Sequence, residues 1–374
     1  MTQLSQDAAF TLGRRPTGLI FSDLEKSFGG YTLFAPQTTE GRVYLVDELG
    51  KVAHQWQLPV RAGRDAVLLP NGNLGYNGSH GTSANLYPAW DLWHGGDFYE
   101  VTPDNEVVWH YEDIFHHHDA QWLANGNLLY TAAVPLPAEI ASRVTGGDPR
   151  RDAPDGVIQS DVVKEVNRDG EVVWEWRVWE HLAPEDFPIH EIFDRRHWPM
   201  INGLSVTREG LVLMSLRTTS GVIAVNKESG SVVWHVGPDV VAQQHTPIEM
   251  ENGSILVFDN GNLRPGVTSP HSTVLEFDPH TQAIRWQYRD IFPPAFFSPY
   301  MGSAQRLANG NTFICESAFG RLFEVTPQGE TVWEYIIPYF NEYPDHLSKG
   351  IIPGKQNSSF RAHRYAADAL PWLK

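Results

Sequence analysis

Three short stretches of the chain begin with a basic residue in the same phase. HDAQWLANG places His118 seven residues before Asn125, HTPIEMENG places His245 seven before Asn252, and RDAVLLPNG places Arg64 seven before Asn71. Neutral imidazole is a competent nucleophile or general base near neutral pH, because free histidine titrates near ~6.5. Arginine adds a planar fork of donors suited to an oxyanion. Together they could perform group transfer or acid–base work on a small anion, provided the fold brings them together. His116 and His117 lead into the first stretch. With His118, Asp119, His245 and His363 they are also conceivable metal ligands. There is, however, no HExxH and no cysteine set. The expectation is therefore no metal and no cofactor.

The elements that would position these residues repeat along the chain. VAHQW, VVWHY, VVWEW, VVWHV, AIRWQY and TVWEY recur at spacings of roughly 50–60 residues, in the range of propeller blades. Each is preceded by an alternating segment and a Gly, Asn or Asp turn, for example FYEVTPDNE before VVWHY. Between these hairpins lies a second pair of apolar runs, often split by Asn-Gly, a strong hairpin signal. Only five such pairs are internal; FRAHRYAA and GYTLFAP from the two ends would make the sixth. The pattern predicts an all-β, six-bladed β-propeller of four-stranded blades as one domain over residues 1–374. A strand at about 30–36 and one at about 359–367 would close it, leaving no open sheet edge.

If the strand that starts with the basic slot is innermost, equivalent slots meet at one end of the channel. In the third copy of this register one extra residue blurs the phase, and the slot holds Met200 or Ile201, with Asn202 next; in the fifth copy it is Gly302. The closing strand offers Arg361, His363 and Arg364. Long inserts at 78–97, 132–160, 177–200 and 289–301 hold Trp90, Trp93, His190, His197, Phe296, Phe297 and Tyr300. Loops of this length are usually functional or disordered, and these are expected to rim one mouth and offer aromatic surface to a substrate.

The net charge of -17 argues against nucleic acid or an anionic membrane as a main partner. A small aromatic or anionic molecule is the expected partner, and oligomeric state is left open. Cys315 is the only cysteine, and the first residues show no apolar signal core, so a cytoplasmic protein is the simplest expectation.

HWPMINGLSVTREGLVLMSLRTTSG, QQHTPIEMENGSILVFDNG and the closing SSFRAHRYAAD resemble the bacterial arylsulfotransferase family. The resemblance implies a six-bladed propeller that moves a sulfuryl group between phenols through a sulfohistidine. It assigns the nucleophile to His245, the arginine of Ser215–Arg217 to Arg217 and a supporting histidine to His118. Arg64, Asn202, His197, His363 and Tyr300 are expected around the substrate. The family's H-x-N reads Met200-Ile201-Asn202 here, so the histidine is replaced. That departure keeps two alternatives open: diverged acid–base chemistry (lyase, hydrolase or isomerase) on a small anion, or a propeller that only binds.

Overall fold

The computed structural model describes residues 12–262, 264 and 266–373. Its strands form six antiparallel sheets, each with four strands in meander order. Blade 1 joins Ser359–Tyr365 to Tyr31–Pro36, Arg42–Asp47 and Val52–Gln57. Blade 2 runs Ala62–Leu68, Leu74–Ser79, Gly96–Val101 and Val107–Glu112. Blade 3 runs His116–Trp122, Leu128–Pro135, Gln159–Val166 and Val172–Arg177. Blade 4 comprises Ile201–Val206, Leu211–Leu216, Gly221–Asn226 and Val232–Val236. Blade 5 comprises His245–Glu249, Ile255–Asp259, Thr273–Phe277 and Ile284–Tyr288. Blade 6 comprises Ser303–Arg306, Thr312–Glu316, Arg321–Val325 and Thr331–Ile336. This is the expected six-bladed propeller, closed where Tyr31 pairs with Tyr365 and Phe34 with Ala362. The eleven N-terminal residues, where a leader was looked for, lie outside the described residues.

Alternation explains the layering. Second and third strands are buried along most of their length, while outermost strands such as Val107–Glu112 show every other residue to solvent. The recurring tryptophans sit on those outermost strands and tie each blade to the next. Their indole N–H groups donate to carbonyls in the neighbouring hairpin turn: Trp56 to Thr102, Trp109 to Arg168, Trp174 to Lys227, Trp286 to Pro327 and Trp333 to Glu48. An amphipathic ring suits this place, since its body packs between sheets and its N–H reaches a polar turn. The Asn-Gly turns carry a second repeat. Asn73, Asn127, Asn252 and Asn311 donate to the buried Glu100, Glu165, Glu276 and Glu324. Arg168, Lys227, Arg306 and Arg364 of the following blades pair with the same carboxylates.

Two strands were not anticipated: His197–Trp198, parallel to Gln159 and Ser160 of blade 3, and Gly18–Ser22. Gly18–Ser22 pairs with Thr331–Ile336 and covers the outer edge of blade 6, a common way of blunting an exposed ladder.

Because each blade is a meander, the ends of second strands and the starts of innermost strands lie on one face. The inserts at 78–97, 132–160, 177–200 and 289–301 therefore share a mouth. The connection from Ile337 to Ser358 joins them. Its Tyr343 and Leu347 pack with Leu92 in a small apolar cluster, flanked by Trp93 and Ile352.

Candidate active site

The inner strands do not begin as regular ladders. Register shifts break the pairing near the start of those in blades 2 to 5. His118, Met200, Thr246 and Met301 adopt left-handed backbone, with φ of 57°, 60°, 53° and 58°. Such a conformation costs a non-glycine residue about 1 kcal/mol or more, and bulges of this kind re-aim side chains. The strain is concentrated where the basic slots converge.

They converge on Trp93, at the end of the short helix Trp90–Trp93 in the blade 2 insert. His118 stacks on the indole, ring centroids 5.6 Å apart and planes 12° from parallel. The guanidinium carbons of Arg64 and Arg217 lie 5.9 and 5.6 Å from the same ring, and Tyr300 meets it edge-on at 6.4 Å. His245 is joined to Arg64 through Phe360, whose ring lies 6.4 Å from the imidazole and 5.4 Å from the Arg64 guanidinium carbon; burial, then the charges of Arg217, Arg361 and Arg64, push the His245 pKa down to about 3. His118 is also held well below the ordinary histidine range, first by burial and then by His117, Arg64, Arg217 and His245. Both imidazoles are neutral at pH 7.

The cations differ in what they are free to do. Arg64 is spent on the chain itself: Nε donates to the Trp93 carbonyl at 3.0 Å and Nη2 to that of Leu92 at 2.6 Å. It anchors the insert that carries Trp93. Arg217 makes no ion pair among the described residues. Its Nη1 meets only the Met200 sulfur, at 3.9 Å, while Phe193 flanks the guanidinium at 4.7 Å. Met200, in the place of the family histidine, thus sits against the site arginine. Arg217, Trp93, Tyr87, Phe193, Met200 and His197 line a cavity of about 680 Å³ at the mouth, enough for an aromatic molecule.

His245 is held in one tautomer. Its Nδ1 lies 2.7 Å from Asn260 Oδ1, while Asn260 Nδ2 donates to the Ser298 and Met301 carbonyls. The asparagine oxygen must accept, so His245 Nδ1 carries the proton. The Nε2 lone pair remains and accepts a 3.2 Å bond from the Met301 amide. Asn202 lies next to this strand and donates to the Gln244 carbonyl at 2.8 Å.

His363 stands apart from Trp93, whereas His197 lines the cavity with it but makes no ring contact with it. His197 bonds Asp161 at 3.1 Å and Tyr87 at 3.2 Å, one residue removed from His118 through His117. His363 is held by both oxygens of Asp65 at 3.0 and 3.1 Å. The inward-reaching residue of that strand is Arg361, which spans Asp65, Asp119 and Thr246. Phe296, expected at the rim, is wholly buried between blades 5 and 6 against Phe258 and Phe323. Its apolar contacts outweigh any use as substrate surface. His117, Asp161 and His197 place their donor atoms within 4.8 Å of one another. Their shared contact on Asp161 accounts for that spacing without an ion.

His116 has a structural job. Wholly buried, it donates from Nδ1 to the Thr131 carbonyl at 2.8 Å and accepts at Nε2 from Asn77 at 2.9 Å. Burial, then His117, holds it well below the normal histidine range. The unfolded chain binds protons at these histidines below ~6.5, where the fold does not, so stability is present above that pH and lost on acidification. Each such group adds up to about 1.4 kcal/mol per pH unit to the slope. Urea midpoints should therefore fall between about pH 7 and about pH 5. His116→Gln should be less stable at neutral pH but show a shallower fall. Equal slopes for both proteins would refute this account of His116.

Propellers host many functions, and the fold alone does not choose one. Here His118, Arg64 and Arg217 gather around Trp93 at one mouth. The family model described as arylsulfotransferase (ASST) matches residues 75–337. That span is well over half the chain: the protein belongs to the arylsulfotransferase family and is a transferase. No curated protein matches the sequence. Among solved structures, a protein of unknown function from Bacteroides caccae is similar at 14% identity, covering 82% of this chain and 93% of its own, with a TM-score of 0.53. A streptogramin B lyase aligns at 10% identity over 87% of this chain and 83% of its own, with a TM-score of 0.47. At these identities only the first bears on the fold, and neither on the reaction. Among the described residues, no helix is long and apolar enough to cross a membrane.

Proposed function

We propose that this protein moves a sulfuryl group from one phenol to another through a covalent adduct on His245. The observation that carries the reading is Arg217: a half-buried guanidinium without a carboxylate partner among the described residues, between Trp93 and Phe193, in the wall of an aromatic-lined cavity. A partly desolvated cation with no counter-ion favours an anionic partner. The sulfuryl oxygens of an aryl sulfate would do so, and the aryl ring would lie against Trp93 and Tyr300.

In the first half-reaction His245 Nε2 forms a bond to sulfur as the bond from sulfur to the aryl oxygen breaks. The electron pair of that bond leaves with the phenolate. His245 Nε2 releases the Met301 amide to attack, at about 1 kcal/mol for one neutral hydrogen bond. In the second half-reaction an acceptor phenol attacks sulfur and the imidazole leaves. Covalent catalysis thus divides one hard transfer into two easier ones.

Incubation with an aryl sulfate and no acceptor tests this directly. One equivalent of phenol should appear, and the peptide holding His245 should gain the mass of one sulfuryl group. Met200 favours a second reading, acid–base chemistry by His118 on an anion held by Arg217. Turnover of another small anion, with no adduct on His245, would select it.

A further inference from the structure

Of the motif HHHD, His117 is left without a role in the chemistry, as is the distant Asp161. Both are buried, and with His118 they form a chain. His118 Nδ1 lies 2.9 Å from His117 Nδ1. The other His117 nitrogen, Nε2, lies 2.9 Å from Asp161 Oδ1, off the line of an ideal hydrogen bond. Asp161 Oδ1 also accepts from His197 and from the Ile201 amide. The chain comes from three elements: the inner strand of blade 3, its third strand, and the two-residue strand His197–Trp198, which pairs parallel to Gln159 and Ser160.

The contacts decide the protons. A lone pair on His117 Nε2 would face a carboxylate oxygen, so that nitrogen carries hydrogen. In a neutral His117, Nδ1 is then a lone pair, and His118 Nδ1 must be the donor between the two rings. His118 Nε2 is left unprotonated, and it makes no hydrogen bond among the described residues. Burial favours neutral Asp161, but His197 and His117 outweigh it and hold the carboxyl below its usual range. A negative charge therefore stands at the far end of the chain. When His118 Nε2 takes a proton, the Nδ1 proton can pass to His117, making an imidazolium against Asp161. His118 is then neutral again, now with Nε2–H to donate.

We propose that His118 is the general acid–base of the reaction, with His117 and Asp161 as positioning residues that set its tautomer and hold the moving proton. The inference rests on the sulfuryl-transfer reading and supplies what Met200 cannot. At rest His118 Nε2 is bare, so the cycle opens when it takes a proton from solvent and the Nδ1 proton passes to His117. In the first half-reaction His118 Nε2–H then gives its proton to the departing aryl oxygen, and the Nδ1 proton returns from His117. In the second, Nε2 takes the proton of the acceptor hydroxyl as that oxygen bonds to sulfur. The proton count of the enzyme is unchanged over the cycle.

Leaving-group dependence tests this. General acid catalysis is worth about 10²–10⁴-fold and matters most for poor leaving groups. Asp161→Asn should lower kcat/KM for phenyl sulfate by about 10²-fold, and for 4-nitrophenyl sulfate by about tenfold or less. The acid limb of the kcat/KM profile should also move. Equal losses on both donors, with an unmoved profile, would overturn the proposal. A second arm needs neither turnover nor a variant. Nitrogen NMR of the histidine-labelled parent protein at neutral pH should show His118 as the Nδ1–H tautomer and His117 as Nε2–H. An Nε2–H on resting His118 would overturn the relay. If no aryl sulfate reacts, the sulfuryl reading fails, and the tautomer measurement still decides the chain.

Discussion

Arg217→Ala should lower kcat/KM for an aryl sulfate by about 10²–10³-fold, the usual loss when one preorganised donor to a developing oxyanion is removed. Arg217→Lys should recover little of it. The guanidinium is a flat group between two aromatic faces, at 5.6 Å from Trp93 and 4.7 Å from Phe193. An ammonium has no plane to stack and no two-pronged donor edge. Stability should move the other way. Burial presses the Arg217 pKa down to about 10, with only distant compensation from Tyr87 and Asp194. Removing a half-buried charge that lacks a counter-ion should leave the urea midpoint unchanged or higher, the usual trade between activity and stability. A variant that keeps its activity, or unfolds readily, would show that Arg217 serves the fold instead of the reaction.

Arg361→Met should destabilise the protein by about 3–5 kcal/mol, the penalty for breaking a buried ion pair from one side. Arg361 is nearly inaccessible and bonds Asp119 through two nitrogens, Asp65 at 3.3 Å and Thr246 at 3.0 Å. Asp119 also accepts from the Leu204 amide, and Thr246 donates to the Gly302 carbonyl. One guanidinium on the strand of blade 1 thus reaches blades 2, 3 and 5 directly and blades 4 and 6 through those partners. Its loss strands two buried carboxylates. The check is urea unfolding of Arg361→Met, Asp119→Asn and the double variant. The double should lose less than the sum of the singles, because contacting groups couple. Additive losses would mean that the latch is not a unit.

The repeat was legible because its signals are local. Asn-Gly turns, alternating strands and recurrent tryptophans each act within one hairpin, and their phase placed His118 and Arg64 beside one ring. The same phase held the latch one residue further on, at Asp65, Asp119 and Thr246, but bulges at the strand starts obscure which of two neighbouring residues turns inward. Trp93 could not be placed by phase, because it lies in an insert with no counterpart in other blades. Asp161 and His117 were invisible for a related reason: their partnership joins different strands of one blade through a side-chain contact. Asn260 stood in the quoted FDNG, yet only coordinates show it setting the tautomer of His245. Phe296 had the composition of rim surface and the location of core.

The strand that carries Arg361 is the innermost of the first blade and, in chain order, the last of the propeller's described strands. Until residue 365 has emerged, the nascent chain holds Asp65 and Asp119 without their counter-ion, and blade 1 lacks its inner edge. Synthesis from the N-terminal end therefore cannot finish the ring blade by blade. The channel, and with it any catalytic competence, arrives in a single late event.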